Sequence, residues 1–252
     1  LPRTVTQIAY GIGDLDGNPD MRQIFEFSRA NGVIPNVTIN GANLTQEWAD
    51  WLAKTCGAVA VSYYDYDLTL NAVDLLNRSG LKQVNIHAML AHETVEDIET
   101  LIYAYNKGEK YLRLKGLNAL VLLSLKPKGR SIGHYTSCSQ EEFKGLITKA
   151  LELKVPLGFD SCSAHKFLTS VDNPEKYSEV VEPCESFLFS IFGNVKSEFF
   201  PCSFAEGTEG WEKGISIIEV EDFTKDIWLS ERAEQWRKRL ISNCRECPIF
   251  KV

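Results

Sequence analysis

"TVTQIAYGIGDLDGNPDMRQIFEFSRANGVIPNVTING", residues 4–41, decides the fold. An apolar, β-branched run enters a glycine-rich turn at Gly11 and Gly13. A helical pattern follows, with Asn18 placed as N-cap, Pro19 at the first helical position and Gly32 just past the end. Met21, Ile24, Phe25 and Ser28 recur on one face of that helix. The chain then returns to an apolar run, "VIPNVTING". Strand, helix, strand is the βαβ unit, and repeated units imply a parallel sheet.

The alternation continues to about residue 160. "LTQEWADWLAKTCG" reads as a helix capped by Thr45 and closed at Gly57, and "AVAVSYYD" as a strand. "LTLNAVDLLNRSG" is a helix ending at Gly80, with Asp65 and Asp67 before it as solvated loop carboxylates. "KQVNIHAML" is a strand, and "TVEDIETLIYAYNKG" a helix opened by a capping box from Thr94 to Asp97. "NALVLLSL" is a strand, "SQEEFKGLITKALEL" a helix with a second capping box from Ser139 to Glu142, and "VPLGFD" a last short strand. Several strands are near-continuous apolar runs, as when both faces are buried. The fold class is α/β: a partial (β/α) barrel of parallel strands over residues 1–159, with its ligand site at the C-terminal strand ends.

From about Asp160 helices become rare and aromatics increase, which sets residues 160–252 apart as a small cysteine-rich extension. "CESFLFSIFGNVKSEFFPC" reads as a hairpin turning at Gly193-Asn194, with Cys184 and Cys202 symmetric about Gly193. "DIWLSERAEQWRKRLIS" reads as one amphipathic helix, with Ile227, Trp228, Ala233, Trp236 and Leu240 on one side, delivering Cys244 and Cys247.

The chain has 252 residues, enough for one large domain or a domain and an appendix, and a net charge of −7. That balance argues against nucleic acid and anionic membrane as partners, and no apolar run approaches a membrane span. Seven cysteines are too few, and too uneven, for a disulfide scaffold. They indicate a reducing compartment, the cytoplasm. Cys56, on a helix face, and Cys138, before a capping box, read as buried small hydrophobes. Cys162, Cys184, Cys202, Cys244 and Cys247 crowd the C-terminal part. A thioredoxin-type dithiol opens a helix, whereas "CREC" follows one. Metal is the remaining role, and four thiolates suit zinc or an iron–sulfur cluster equally in number. The four histidines are scattered, which gives another kind of metal-dependent barrel enzyme no support.

Taken in order, the strand ends resemble those of the radical SAM superfamily. "YGIGDLDGNPD" stands in place of that family's GGE stretch, with Asp14 where Glu is usual. "TINGANLT" is similar to its TNG…L segment, "VSYYD" to its SxD segment, and "KPKGR" to the loop after its sixth strand. The tail, C…G…PC…W…R…LI…CxxC, resembles the SPASM or twitch extension that carries an auxiliary [4Fe-4S] cluster. Cys247-Pro248 is similar to a ferredoxin ending.

The resemblance implies an oxidoreductase-type enzyme that cleaves S-adenosylmethionine reductively to a 5′-deoxyadenosyl radical. It implies a peptide or protein substrate and an electron donor such as flavodoxin or ferredoxin. Gly11 and Gly13 would let backbone approach the methionine end, and Asp14 would pair with its ammonium. Asn40 and Ser62 fall where ribose or carboxylate contacts come. Asn85 and His87 share one strand face, a candidate lumen wall. Cys184, Cys202, Cys244 and Cys247, with Cys162 as substitute, would hold the auxiliary cluster. The superfamily's defining CxxxCxxC loop has no counterpart in this chain. One βα unit carrying it, and a second [4Fe-4S] cluster, is expected upstream of Leu1. The alternative is a catalytically inactive barrel-type binding protein with a structural zinc or iron–sulfur site.

Overall fold

The computed structural model describes residues 5–106, 113–126, 128–177 and 181–244, with backbone alone at 12, 130 and 241–244. Six strands form one parallel sheet: β1 Gln7–Gly13, β2 Ile34–Ile39, β3 Val59–Ser62, β4 Val84–Leu90, β5 Leu117–Ser124 and β6 Leu157–Phe159. Their spatial order is their sequence order, β1 through β6, and every pairing is parallel. Between them run α1 Met21–Ala30, α2 Gln46–Thr55, α3 Tyr66–Arg78, α4 Val95–Asn106 and α5 Gln140–Glu152. Right-handed crossovers between neighbours in strict order put every helix on the same face of the sheet. This is the winding of a partial barrel.

Burial records the asymmetry. Along β4 every second residue, Val84, Ile86, Ala88 and Leu90, is buried, and the intervening Asn85, His87 and Met89 are half-buried. Val37, Ile39, Val59, Val61, Leu120 and Leu122 continue the buried layer beneath the helices. The expectation of strands buried on both faces therefore holds along Val59–Val61 and not along β2, β4 or β5, whose second faces carry polar or half-exposed side chains. Cys56 and Cys138 are buried, as their settings imply. Burial pushes the Cys56 thiol up to about 12, where it is an inert apolar group.

The caps divide into hits and corrections. Thr45 accepts from the Trp48 amide, and Ser139 and Glu142 form the reciprocal capping box. Helix α1 starts at Met21, two residues later than Pro19 suggests, because Asn18 Oδ1 takes the Asp20 amide and closes a turn first. Thr94 opens no capping box with Asp97: its hydroxyl turns back to the carbonyls of Met89 and Ala91. Asp65 is no idle loop carboxylate, since it caps α3 through the Leu68 amide at 2.8 Å.

The chain divides into two compact units. One is residues 3–125 with 135–160, the sheet and its helices. The other is discontinuous: residues 1–2, 126–134 and 161–252. Its described part holds α6 Ala164–Leu168, an antiparallel sheet of β7 Phe192–Gly193, β8 Glu198–Phe200 and β9 Ile215–Ser216, a π-helical turn Phe223–Trp228 and α7 Glu231–Cys244. Phe187, Phe200, Trp211, Ile227 and Ala233 are its buried core, with Trp228 and Trp236 packed against them. The single helix expected here is two pieces. Asp222 caps the π turn by accepting the Thr224 and Lys225 amides, and Ser230 starts α7 by accepting the Glu234 amide on its carbonyl.

The hairpin register also differs from expectation. Phe192 pairs with Phe200 and Gly193 with Phe199, so the turn centres beyond Asn194, on Lys196 within the loop Val195-Lys196-Ser197. Asn194 Oδ1 drives this by accepting the amides of Lys196 and Glu198. Cys202 then falls opposite Ser190, and Cys184 belongs to a separate turn in which the Glu185 carbonyl accepts from residues 188, 189 and 190.

Candidate functional site

Chemistry-bearing side chains collect in two places, one in each unit. The first is the face of the parallel sheet opposite its helices. Register sets that face in rows. Gly11, Thr38, Ala60, Asn85 and Ala119 are successive cross-strand neighbours. Two residues further along, Ser62, His87, Val121 and Gly158 form the next row. Asn40 lies one residue past β2, with its amide donating to the Gly13 carbonyl at 3.3 Å. Its side-chain amide donates to the Asp14 carboxylate, and its Oδ1 accepts the Ala42 amide at 2.9 Å. Gly11, Ser62, Asn85 and His87 thus share one face, and Gly13, Asp14 and Asn40 stand together at its C-terminal rim.

The glycines shape that rim. A side chain at Gly11 would meet nothing within 4 Å, so the backbone there faces open space. Gly13 takes φ +71°, a left-handed conformation that glycine adopts without strain, at the point where the β1–β2 register shifts.

Electrostatics grade the face from rim to base. Burial pulls the His87 pKa below its ordinary value, so the imidazole is neutral at neutral pH. The Tyr63 amide donates to the His87 carbonyl at 2.8 Å. Burial, reinforced by the hydrogen-bonded Asp97 carboxylate, pushes the Tyr63 phenol up to about 12. Toward the strand N-termini, amide pairs take over: Asn36 donates to Gln7 at 3.0 Å and Asn118 to Asn85 at 2.8 Å. Asn85 is therefore engaged with Asn118. Gln7, Asn36 and Asn118 escaped the sequence reading, though polar residues inside strand patterns were the available signal.

Beyond β4, His92 pairs with Glu142 and Glu93 accepts the Thr136 amide with both oxygens. The His92 pKa is raised and Glu142 is held near 2, its capping bonds from Ser139 coming before the His92 bond.

The second place is the extension. Cys162 is exposed, Cys184 and Cys202 are half-buried, and all three are free thiols. Lys126 hydrogen-bonds Cys162, lies within electrostatic reach of Cys202, and sits 5.0 Å from the Phe204 ring centroid. Burial lowers its pKa while the two cysteines act to raise it. Lys128 donates to the carbonyls of Phe204 and Glu206, tying down the turn after Cys202. Cys184 Sγ lies 3.1 Å from Ser186 Oγ. Among the described residues no group of three Cys, His, Asp or Glu side chains gathers around one metal position. The Cys244 side chain and Cys247 lie outside the described residues.

No family model matches the chain, and no curated protein matches it. Solved structures do. It is similar to anSMEcpe with bound AdoMet and Cp18Cys peptide, at 14% identity and TM-score 0.61, over 97% of this chain and 73% of that one. It is also similar to Streptococcus suis SuiB bound to precursor peptide SuiA, at 13% identity and TM-score 0.66, over 98% of this chain and 60% of that one. SuiB bound to S-adenosylmethionine matches with TM-score 0.59 at 13% identity. At these identities the likeness is one of fold alone, and it spans both units of this chain. Among the described residues no helix is long and apolar enough to cross a membrane.

Proposed function

We propose that the chain serves a radical SAM enzyme that modifies a peptide or protein, with residues 160–252 as a SPASM- or twitch-like auxiliary-cluster domain. One observation carries the reading: the face without helices, opened at Gly11 and rimmed by Gly13, Asp14 and Asn40, lies in a fold shared with enzymes solved with S-adenosylmethionine and with peptides. When bound, S-adenosylmethionine reduced at a [4Fe-4S] cluster supplies a 5′-deoxyadenosyl radical that takes a hydrogen atom from the substrate.

This chain's residues bind and orient. The donor set fits the methionine end, because a carboxylate, Asp14, is held in place by Asn40 beside an unobstructed glycine backbone. Ser62 supplies a hydroxyl in the same row as His87, whose neutral imidazole can donate or accept one hydrogen bond. The amide pairs close the base of the face with satisfied polar groups. In the extension the donors are soft thiols, none in a disulfide among those described, and two already face hydrogen-bond donors. Cys184, Cys202, Cys244 and Cys247, with Cys162 in reserve, would hold an auxiliary [4Fe-4S] cluster.

The test is anaerobic purification of the natural full-length protein. Iron and sulfide are counted per chain, and dithionite-dependent release of 5′-deoxyadenosine is measured. Iron–sulfur content with 5′-deoxyadenosine formation is the expected result. Protein that forms neither overturns the proposal. Cys244→Ala and Cys247→Ala should each lower the iron count without abolishing binding of S-adenosylmethionine.

A further inference from the structure

The environment of Cys184 contains a directed chain of hydrogen-bond donors. Trp236 Nε1 lies 2.9 Å from Ser186 Oγ, and Ser186 Oγ lies 3.1 Å from Cys184 Sγ. An indole N–H can donate and cannot accept. It therefore occupies a lone pair of the serine oxygen. Either atom of the Ser186–Cys184 contact could donate while Cys184 is a thiol; as a metal-bound thiolate the sulfur has no proton to give, and the serine's own proton is then directed to it. Ser186 is 2% exposed, so water does not compete for that proton.

Both ends of this chain are held. The backbone around Ser186 is fixed by the turn on the Glu185 carbonyl and by the Phe187 amide donating to Ser190. Trp236 is wedged edge-on against Trp211, with ring centroids 6.1 Å apart. Trp236 also stands on α7, the helix whose last residue is Cys244. The contact thus joins the Cys184 turn to the helix that ends at Cys244.

We propose that Trp236 and Ser186 form a relay that makes the Cys184 sulfur a hydrogen-bond acceptor and so tunes the auxiliary centre. Ser186 is a positioning residue, acting through Cys184. The inference rests on the reading of Cys184 as a cluster ligand. A hydrogen bond to a ligand sulfur draws electron density from it and favours the reduced cluster. Losing the bond makes the cluster harder to reduce.

The experiment compares full-length wild type, Ser186→Ala and Ser186→Thr, purified anaerobically, by iron count and by redox titration followed with electron paramagnetic resonance. Iron is expected at wild-type level in all three. In Ser186→Ala the oxidised-to-reduced ratio at the wild-type midpoint should rise about tenfold, equivalent to about 59 mV for a one-electron couple. Ser186→Thr retains the hydroxyl and should titrate with the wild type. An alanine variant with full iron and an unmoved midpoint overturns the relay and leaves the ligand reading standing. Loss of iron from both variants assigns Ser186 to packing and also overturns the relay. Wild type without iron overturns the ligand reading itself, and the relay with it.

Discussion

The sheet unit and the extension bury their backbones by opposite means. In the sheet, six strands share one continuous ladder, and an apolar layer from Val37 to Leu122 spreads under five helices. In the extension, β7 and β9 have two residues each and β8 three, and its largest fully buried side chains, Phe187 and Phe200, sit in one cluster with Trp211, Ile227 and Ala233. Distributed burial tolerates the loss of any one contact. Concentrated burial in a small unit leaves little reserve, and such units commonly recruit metal or cross-links. On the proposed reading of the thiols as cluster ligands, metal would supply the extension with stability that its short strands do not.

The sharpest way to break this comparison is removal of metal. Chelation of the anaerobic protein should abolish amide-exchange protection around Phe187, Phe200 and Trp236 while β3 and β4 stay protected. Equal loss in both units would refute the division. Next comes crowding. A side chain at Gly214 would stand 2.8 Å from the Phe199 carbonyl oxygen, so Gly214→Ala should unfold the extension at temperatures where a Gly11→Ala variant is unaffected. Differential scanning calorimetry reads both.

Core truncation is graded more finely. Phe200→Ala should cost about 3–5 kcal/mol and Ile86→Ala about 2–5 kcal/mol. The first should lower the denaturation midpoint of the extension alone, the second that of the sheet unit. Smaller again is Ser139→Ala, about 1 kcal/mol from a lost helix cap, measured by urea denaturation.

The smallest expected effect is electrostatic. Glu142 has a depressed folded pKa, so its contribution is present above the ordinary carboxylate range and is lost as pH falls toward about 2. His92 has a raised pKa, so its contribution is complete below 6.5 and is lost as pH rises through the folded value. In an NMR titration His92 should titrate above 6.5, and Glu142→Gln should bring it down. An unchanged His92 midpoint in that variant would remove the pair from the account.

Legibility in the sequence followed the same line. The β/α alternation was readable because each helix and strand is specified by residues next to one another, such as the Ser139 box or the Met21–Phe25–Ser28 stripe. The shared face of Asn85 and His87 needed nothing beyond strand periodicity. What failed were readings in which a side chain chose among several nearby backbone partners. Thr94 chose the preceding carbonyls, Asn18 chose Asp20, and Asn194 moved the hairpin turn off Gly193. Symmetry of cysteines about a glycine carried no information on register, because the register depends on the asparagine beside it. The pairs Asn85–Asn118 and Trp236–Ser186 span distant parts of the chain and leave no local signal.

The discontinuity of the extension has a consequence for the order in which the chain can fold. Each strand of the parallel sheet pairs with one made just before it, so the ladder can grow as synthesis proceeds. The segment 126–134 belongs to the other unit, and its anchors are made much later: Lys128 waits for Phe204, 76 residues on, and then for Glu206. Its lysines are synthesised long before their acceptors exist. Closure of a loop that long is slow relative to strand-by-strand growth. The sheet is therefore the early phase of folding and the cysteine unit the late one.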